Sequence, residues 1–273
     1  MLRLESSTGW WLITHPDHAR LAGDFAAAWG NDLFRPLLPR DRVLHGIRTH
    51  DDGWAARDAN PGITREGKPS AFSSELVGKY SAFEEIDLVD YLAVRDRAVR
   101  LIAEADPYAG LLISLHTENL LTARADRSTI APSQLPLLDD FLAAQALYQN
   151  TLRKHIDSDE TLTPVERDPK TIQQHFRLLQ ACDNLSLLAC VDYGAPAHLL
   201  HPLPLRDETT SEVQVLRLAP RHFQLDPWPF DTAKLEFSLR ARHVTGQRFA
   251  SSTEFSAAYA NAVESTLKIT LTA

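Results

Sequence analysis

Apolar positions recur at helical spacing through the middle of this chain and alternate at its two ends. Residues 2–14 alternate loosely around Trp10, Trp11, Leu12 and Ile13, which suits a short strand or two. Thr14-His15-Pro16-Asp17 then has the marks of a helix start: a capping side chain, a proline in the first turn and an acid near the positive helix end. The helix that follows sets Leu21, Phe25 and Trp29 on one stripe, with His18 on the same stripe, and stops at Gly30-Asn31. A second helix places Val43, Ile47 and His50 on one face, with Gly53 as its stop. Residues 57–80 have no period and contain Asn60-Pro61-Gly62, Gly67-Lys68-Pro69 and Gly78. So long a loop is often functional; it leaves from the His50 region, and a lid, a substrate wall or a plain surface excursion all fit.

Helical spacing returns over 86–104 (Leu88, Leu92, Val99, Ile102) and again after Asp106-Pro107. The stretch Leu111–Leu120 is apolar nearly all round, which predicts a central, buried helix with His116 inside its apolar surface. Residues 134–156 form one more amphipathic helix. Asp168-Pro169 opens another that runs to about Asp192, with Gly194 ending it and a stripe of Phe176, Leu179, Asp183, Leu187 and Cys190. Asp183 sits in the middle of that stripe and needs a partner, because an isolated buried carboxylate is very costly. From about 211 the period shortens. Residues 212–218 and 234–242 read as strands, 252–265 as a helix, and Leu267, Ile269 and Leu271 alternate again. The expected fold is therefore mainly α. A helical domain over about 15–200 carries a small C-terminal α+β appendage, 205–273, whose antiparallel sheet the N-terminal strands at 1–14 are placed to join.

Composition narrows the function. With 273 residues, 44% hydrophobic and 23% charged, the chain has the make-up of an ordinary globular protein. A formal net charge of −8 argues against a protein whose main task is gripping nucleic acid or an anionic membrane. No apolar run approaches the roughly 18–20 residues of a membrane helix, and the first residues lack the apolar core of a signal peptide. Cys182 and Cys190 lie eight positions apart in one helix, about 12 Å, too far for a disulfide. Two buried thiols in a reducing cytoplasm are the expectation.

The candidate chemistry lies in His18, the adjacent pair His50-Asp51, His116 and Asp183, each aimed at the interior from a different helix. Imidazoles and carboxylates together make a mixed donor set suited to a divalent transition metal such as manganese, iron, cobalt or nickel. Each residue also has a plainer reading. His18 and His116 suit core histidines bonded to backbone, His50-Asp51 a helix-end cap, and Asp183 an ion pair with a neighbouring helix.

The order His, then His-Asp-x-Gly, then a distant Asp in a late helix resembles the HD-domain superfamily of metal-dependent phosphohydrolases. Leu178 to Ser186 is similar to that superfamily's late-helix ligand segment. Over nearly its whole length the chain more closely resembles a family of proteins of unknown function. That likeness is carried by Ile13-Thr14-His15-Pro16-Asp17-His18, His50-Asp51-Asp52-Gly53-Trp54, Asp106-Pro107-Tyr108-Ala109-Gly110 and Pro227-Trp228-Pro229-Phe230. The HD likeness implies one or two metal ions held by His18, His50, Asp51 and Asp183, with His116 where two-metal members add a histidine. Trp54 stands where many members carry a lysine or a second histidine. The expected activity is hydrolysis of a small phosphorylated or nucleotide substrate by metal-activated water. Asp51 or Asp52 would serve as general base, and Arg48, Arg57 and Lys68 would grip phosphate. A non-catalytic module binding a metabolite or partner and a di-iron oxygenase are the alternatives.

Overall fold

Strands from both ends of the chain meet in one sheet, and the helices between them are folded over it. The computed structural model describes residues 1–77 and 87–273. The first half contains β1 (Leu2–Ser6), β2 (Gly9–Ile13), α1 (His15–Ala28), α2 (Arg40–Thr49), α3 (Ala55–Asp58), α4 (Leu88–Ala103) and α5 (Pro107–Asn119). Then come α6 (Leu135–Asp157), α7 (Pro164–Arg167), α8 (Pro169–Cys190), β3 (Ala197–His198), β4 (Leu203–Pro204) and β5 (Thr210–Ser211). The chain closes with β6 (Gln214–Ala219), β7 (His222–Asp226), β8 (Lys234–Thr245), α9 (Ser252–Asn261) and β9 (Glu264–Thr272).

Seven strands lie in the order β1-β2-β8-β9-β7-β6-β3, and β4 pairs with β5 separately. Neighbours run antiparallel except β7 and β9, which are parallel. The longest ladder sets Phe237 opposite Ile269 and Leu239 opposite Leu267. Leu239, Ala241, Ile269 and Leu271 from this ladder turn into the core. There they join Phe25, Val43, Leu112 and Leu179 from four helices in a single apolar cluster. Where α1 crosses the sheet, the Phe25 ring meets the Phe237 ring edge-on at 4.8 Å.

These contacts overturn the expectation of a mainly α chain with a small appendage. The fold is α+β. The sheet runs from the N-terminal strands through to β3, and the helices complete their core against it. Sequence separation explains the error: helices announce themselves by length, whereas a sheet assembled from distant short strands is a non-local feature. The sheet is also not purely antiparallel, because β7 pairs with β9 across α9. The helix expected over 252–265 ends at Asn261, since Glu264 and Ser265 are claimed by β9 pairing with Arg242 and Ala241.

Local signals hold where a side chain meets the backbone. Thr14 accepts from Asp17 N and starts α1, Asp106 caps α5, and Asp168 caps α8. Helix α5 packs against α2, α4, α6 and α8, and its last turn widens into a π-helical segment, Leu120–Arg124. Gly53 does not end α2, which stops at Thr49; it lies in the 3-10 turn Asp52–Trp54 that follows. A Cβ there would lie 2.5 Å from the Val94 carbonyl oxygen, so the glycine lets the chain press on α4. Residues 61–77 of the irregular stretch run beside β1, joined by Arg3 N to Phe72 O (2.8 Å) and Phe72 N to Met1 O (3.0 Å). The end of that stretch, 78–80 with Gly78, and position 86 of the helix expected over 86–104 lie outside the described residues. Cys182 and Cys190 are buried and free.

Candidate metal centre

Three helix faces and one turn bring His18, His50, Asp51, His116 and Asp183 together, each at most 7% exposed. His18 comes from the buried stripe of α1, His50-Asp51 from the turn after α2, His116 from α5 and Asp183 from α8. Ligand atoms of His18, His50 and Asp51 all lie within 4.8 Å of one another, as do those of His50, His116 and Asp183. The two sets share His50.

Hydrogen bonds around the rings decide which nitrogens face inward. His50 Nδ1 lies 2.7 Å from the Ile47 carbonyl oxygen. A carbonyl only accepts, so Nδ1 carries the hydrogen, and Nε2 faces Asp183 Oδ1 at 3.2 Å. Ser186 Oγ donates its one hydrogen to the Asp183 carbonyl at 2.8 Å. Ser186 therefore accepts from His18 Nδ1 at 2.9 Å, and His18 Nε2 faces Asp51 Oδ2 at 3.0 Å. In neutral histidines both Nε2 atoms would present lone pairs to carboxylate oxygens. That contact is repulsive unless a cation, a proton or a metal ion, lies between. The outer hydrogen bonds to Ile47 and Ser186 are of the kind that orient metal-binding imidazoles.

Electrostatics say the same. Burial opposes charge on His50, yet Asp51 and Asp183 outweigh it and lift its pKa to about 9. Burial also works against ionised Asp51, but the Arg95 guanidinium and His50 hold its carboxyl well below the usual range. Asp183 is likewise held low, against burial, by its bond to His50. His116 behaves oppositely: burial drives its pKa down to about 3, so the ring is neutral. Its Nδ1 is buried and has no hydrogen-bond partner among the described residues. One of its ring nitrogens lies within 4.8 Å of ligand atoms of His50 and Asp183, so this neutral ring is placed to serve as a ligand.

His18, Asp51, His116 and Asp183, but not His50, line a cavity of about 210 Å³ whose lining also includes Phe72, Val77, Leu120, Leu187 and Leu200. Phe72 and Val77 belong to the irregular stretch, so that segment does supply one wall. A larger cavity of about 280 Å³, lined by Arg3, Trp10, Lys68 and Asp192 among others, shares no lining residue with it.

The other residues singled out from the sequence lie elsewhere. Asp52 is half-buried and does not line the cavity. Arg48 bonds Asp24 at 3.3 Å, and its stem fills the space beside Gly23 of α1. Arg57 lies over the Trp54 ring, 6.0 Å from its centroid. Lys68 pairs with Glu66 at 3.2 Å and lines the other cavity. All three cations were chosen for nearness in sequence to His50, and the turn after α2 carries the chain past the cavity.

Two cavity residues escaped the sequence reading. Arg95 is buried and donates to Asp51 Oδ1 at 2.6 Å and to the Tyr91 hydroxyl at 3.2 Å. A signal for it exists: Arg95 falls on the apolar stripe Leu88, Leu92, Val99, Ile102, where a charge demands a partner. His15 also lines the cavity, its ring stacked on Trp54 at 4.5 Å and its Nδ1 3.1 Å from Asp58 Oδ1. Its place at a helix cap gave no sign of this.

No helix among the described residues is long and apolar enough to cross a membrane. The family model described as Protein of unknown function (DUF3891) matches residues 1–246. No curated protein and no solved structure matches the chain.

Proposed function

The chain belongs to the DUF3891 family, whose description assigns no chemistry, and we propose from its own side chains that it is a metal-dependent hydrolase of small phosphorylated substrates. One observation carries the reading. Two imidazole Nε2 atoms face carboxylate oxygens at 3.0 and 3.2 Å, and His18, Asp51, Asp183 and His116, whose Nδ1 has no partner among the described residues, all line one cavity. The donor set fits a divalent first-row ion, which His18, His50, Asp51, His116 and Asp183 would hold. When bound, such an ion lowers the pKa of water and offsets charge on a phosphoryl oxygen. The HD-domain likeness of the His, His-Asp and Asp order supports the same reading.

The chain's own groups have separable tasks. Ile47 and Ser186 orient the two rings through their Nδ1 hydrogens. Arg95 holds Asp51 ionised and fixed. A carboxyl held so far below its usual range is a weak base, so Asp51 is assigned to holding and orienting rather than to proton removal.

A second reading has an observation of its own. The Arg95–Asp51 bond and a proton shared within each His–Asp pair close the charge network without any ion, as a non-catalytic binding module would require. The test is phosphate release from a panel of phosphate monoesters and nucleotides by metal-supplied wild type, His50→Ala and Asp183→Ala. The hydrolase reading expects metal-dependent turnover in wild type and only background in both variants. Equal turnover in all three would overturn it. Folded, metal-free protein that binds a panel member without turnover would favour the binding module, and bound iron with oxygen uptake would point to an oxygenase.

A further inference from the structure

The cavity above the cluster has a composition of its own. His116 is followed one helical turn later by Leu120, and Asp183 by Leu187, and all four line the cavity, so each polar residue has an apolar neighbour on its own helix face. Phe72, Val77 and Leu200 add further apolar lining. A sugar in that position would leave its hydroxyls facing hydrocarbon, which is costly.

Charge tells what else belongs there. A phosphate monoester is a dianion near neutral pH, and a protein site normally meets it with a guanidinium or an ammonium. Arg95 is committed to Asp51 and Tyr91. Arg124 also lines the cavity, and its side chain has no ion pair or hydrogen bond among the described residues. It ends the π-helical segment Leu120–Arg124 that follows α5 and lines the same cavity as His116 and Leu120. Single π-helical turns are rare and cluster at functional sites. Asn184, next to Asp183, lines the same cavity with a buried Oδ1 that has no hydrogen-bond partner among the described residues; an amide oxygen only accepts, so it does not hold the phosphate.

We propose that this cavity takes an aryl or short-chain alkyl phosphate monoester rather than a nucleotide or sugar phosphate. Its phosphate lies at the cluster, its apolar body rests against Phe72, Val77, Leu120, Leu187 and Leu200, and Arg124 is the specificity-determining residue that reads its charge. The proposal rests on the hydrolase reading for the place of the phosphate. It goes beyond that reading in naming the body of the substrate and the residue that selects it.

The test is calorimetric binding of non-hydrolysable probes to the full chain, with metal content measured on the same samples. Phenylphosphonate, methylphosphonate and ribose 5-phosphate are titrated into wild type, Arg124→Gln, Arg124→Lys and Leu187→Asn. Phenylphosphonate is expected to bind at least about tenfold tighter than either other probe, from burial of its ring. Arg124→Gln should weaken it by about tenfold or more without changing metal content, with partial recovery in Arg124→Lys. Leu187→Asn should erase the preference for phenylphosphonate over methylphosphonate. Ribose 5-phosphate binding as tightly as phenylphosphonate, an Arg124→Gln variant of unchanged affinity, or no binding of any probe would overturn the proposal. A metal-free wild type that still prefers phenylphosphonate through Arg124 would instead remove the hydrolase reading and leave the specificity assignment standing.

Discussion

Arg95 is the side chain on which two descriptions of the cluster differ. Its guanidinium is buried against Asp51, and removing one partner of such a pair leaves an uncompensated charge, costing about 3–5 kcal/mol. In Arg95→Met the loss should appear in full in metal-free protein. It should shrink when a divalent ion is supplied, because the ion takes over part of the compensation. Urea unfolding with and without metal reads this directly, and an equal loss in both states would mean that Asp51 faces no ion. His175 gives a cleaner titration away from the cluster. Burial lowers its pKa from 6.5 to about 4 while its Nδ1 meets the Tyr108 hydroxyl at 2.8 Å. Between those values the unfolded chain binds the proton and the folded one does not, so stability is full above about pH 6.5 and falls as pH drops. The loss reaches about 3 kcal/mol by pH 4. His175→Gln should flatten that limb of a stability-versus-pH curve; an unchanged slope would assign acid sensitivity elsewhere. Among single residues, Asp183 and His116 were legible because they interrupt apolar surface. Arg95 broke an apolar stripe in the same way and was passed over, since a long side chain is easily read as snorkelling to solvent.

Helix by helix, most of the secondary structure could be read, because caps act on their own backbone. Thr14, Asp106 and Asp168 bond the first turns of α1, α5 and α8, and no distant partner is needed to see it. The stripe of α8 likewise singles out Asp183 from its own periodicity. Strand β7 alternates, His-Phe-Gln-Leu-Asp, but over only five residues, too few to stand out, and its neighbour β9 reaches it only after α9 has passed. Gly53 shows an element's placement depending on one missing side chain. Its backbone presses on α4 at Val94, immediately after His50-Asp51. Gly53→Ala should cost about 1–3 kcal/mol through overpacking. By tilting the His50-Asp51 turn it should also weaken metal binding by about 10–100-fold, as lost ligand support does elsewhere. Thermal melts and metal titration check the two effects separately. Loss of stability with undiminished metal affinity would mean that the turn is not what aligns the ligands.

At the scale of the molecule, helices and sheet share one apolar cluster, from Val43 and Leu179 to Phe223 and Ile269. Unfolding followed by tryptophan fluorescence and by far-ultraviolet circular dichroism should therefore give coincident transitions. Separate transitions would mean that helices and sheet hold their structure independently. The sheet's extent was the least legible property of the chain, because it depends on pairing residues as distant as Trp10 and Val244. The ligand constellation was far more legible, since each member declares itself within its own helix. Its convergence is the central claim, and the metal content of freshly purified wild type beside Asp183→Ala, by inductively coupled plasma mass spectrometry, tests it most directly. About one or two equivalents of manganese, iron, cobalt or nickel in wild type, lost in Asp183→Ala, are the expected result. A folded wild type that holds no metal, and takes up none when it is supplied, would contradict it.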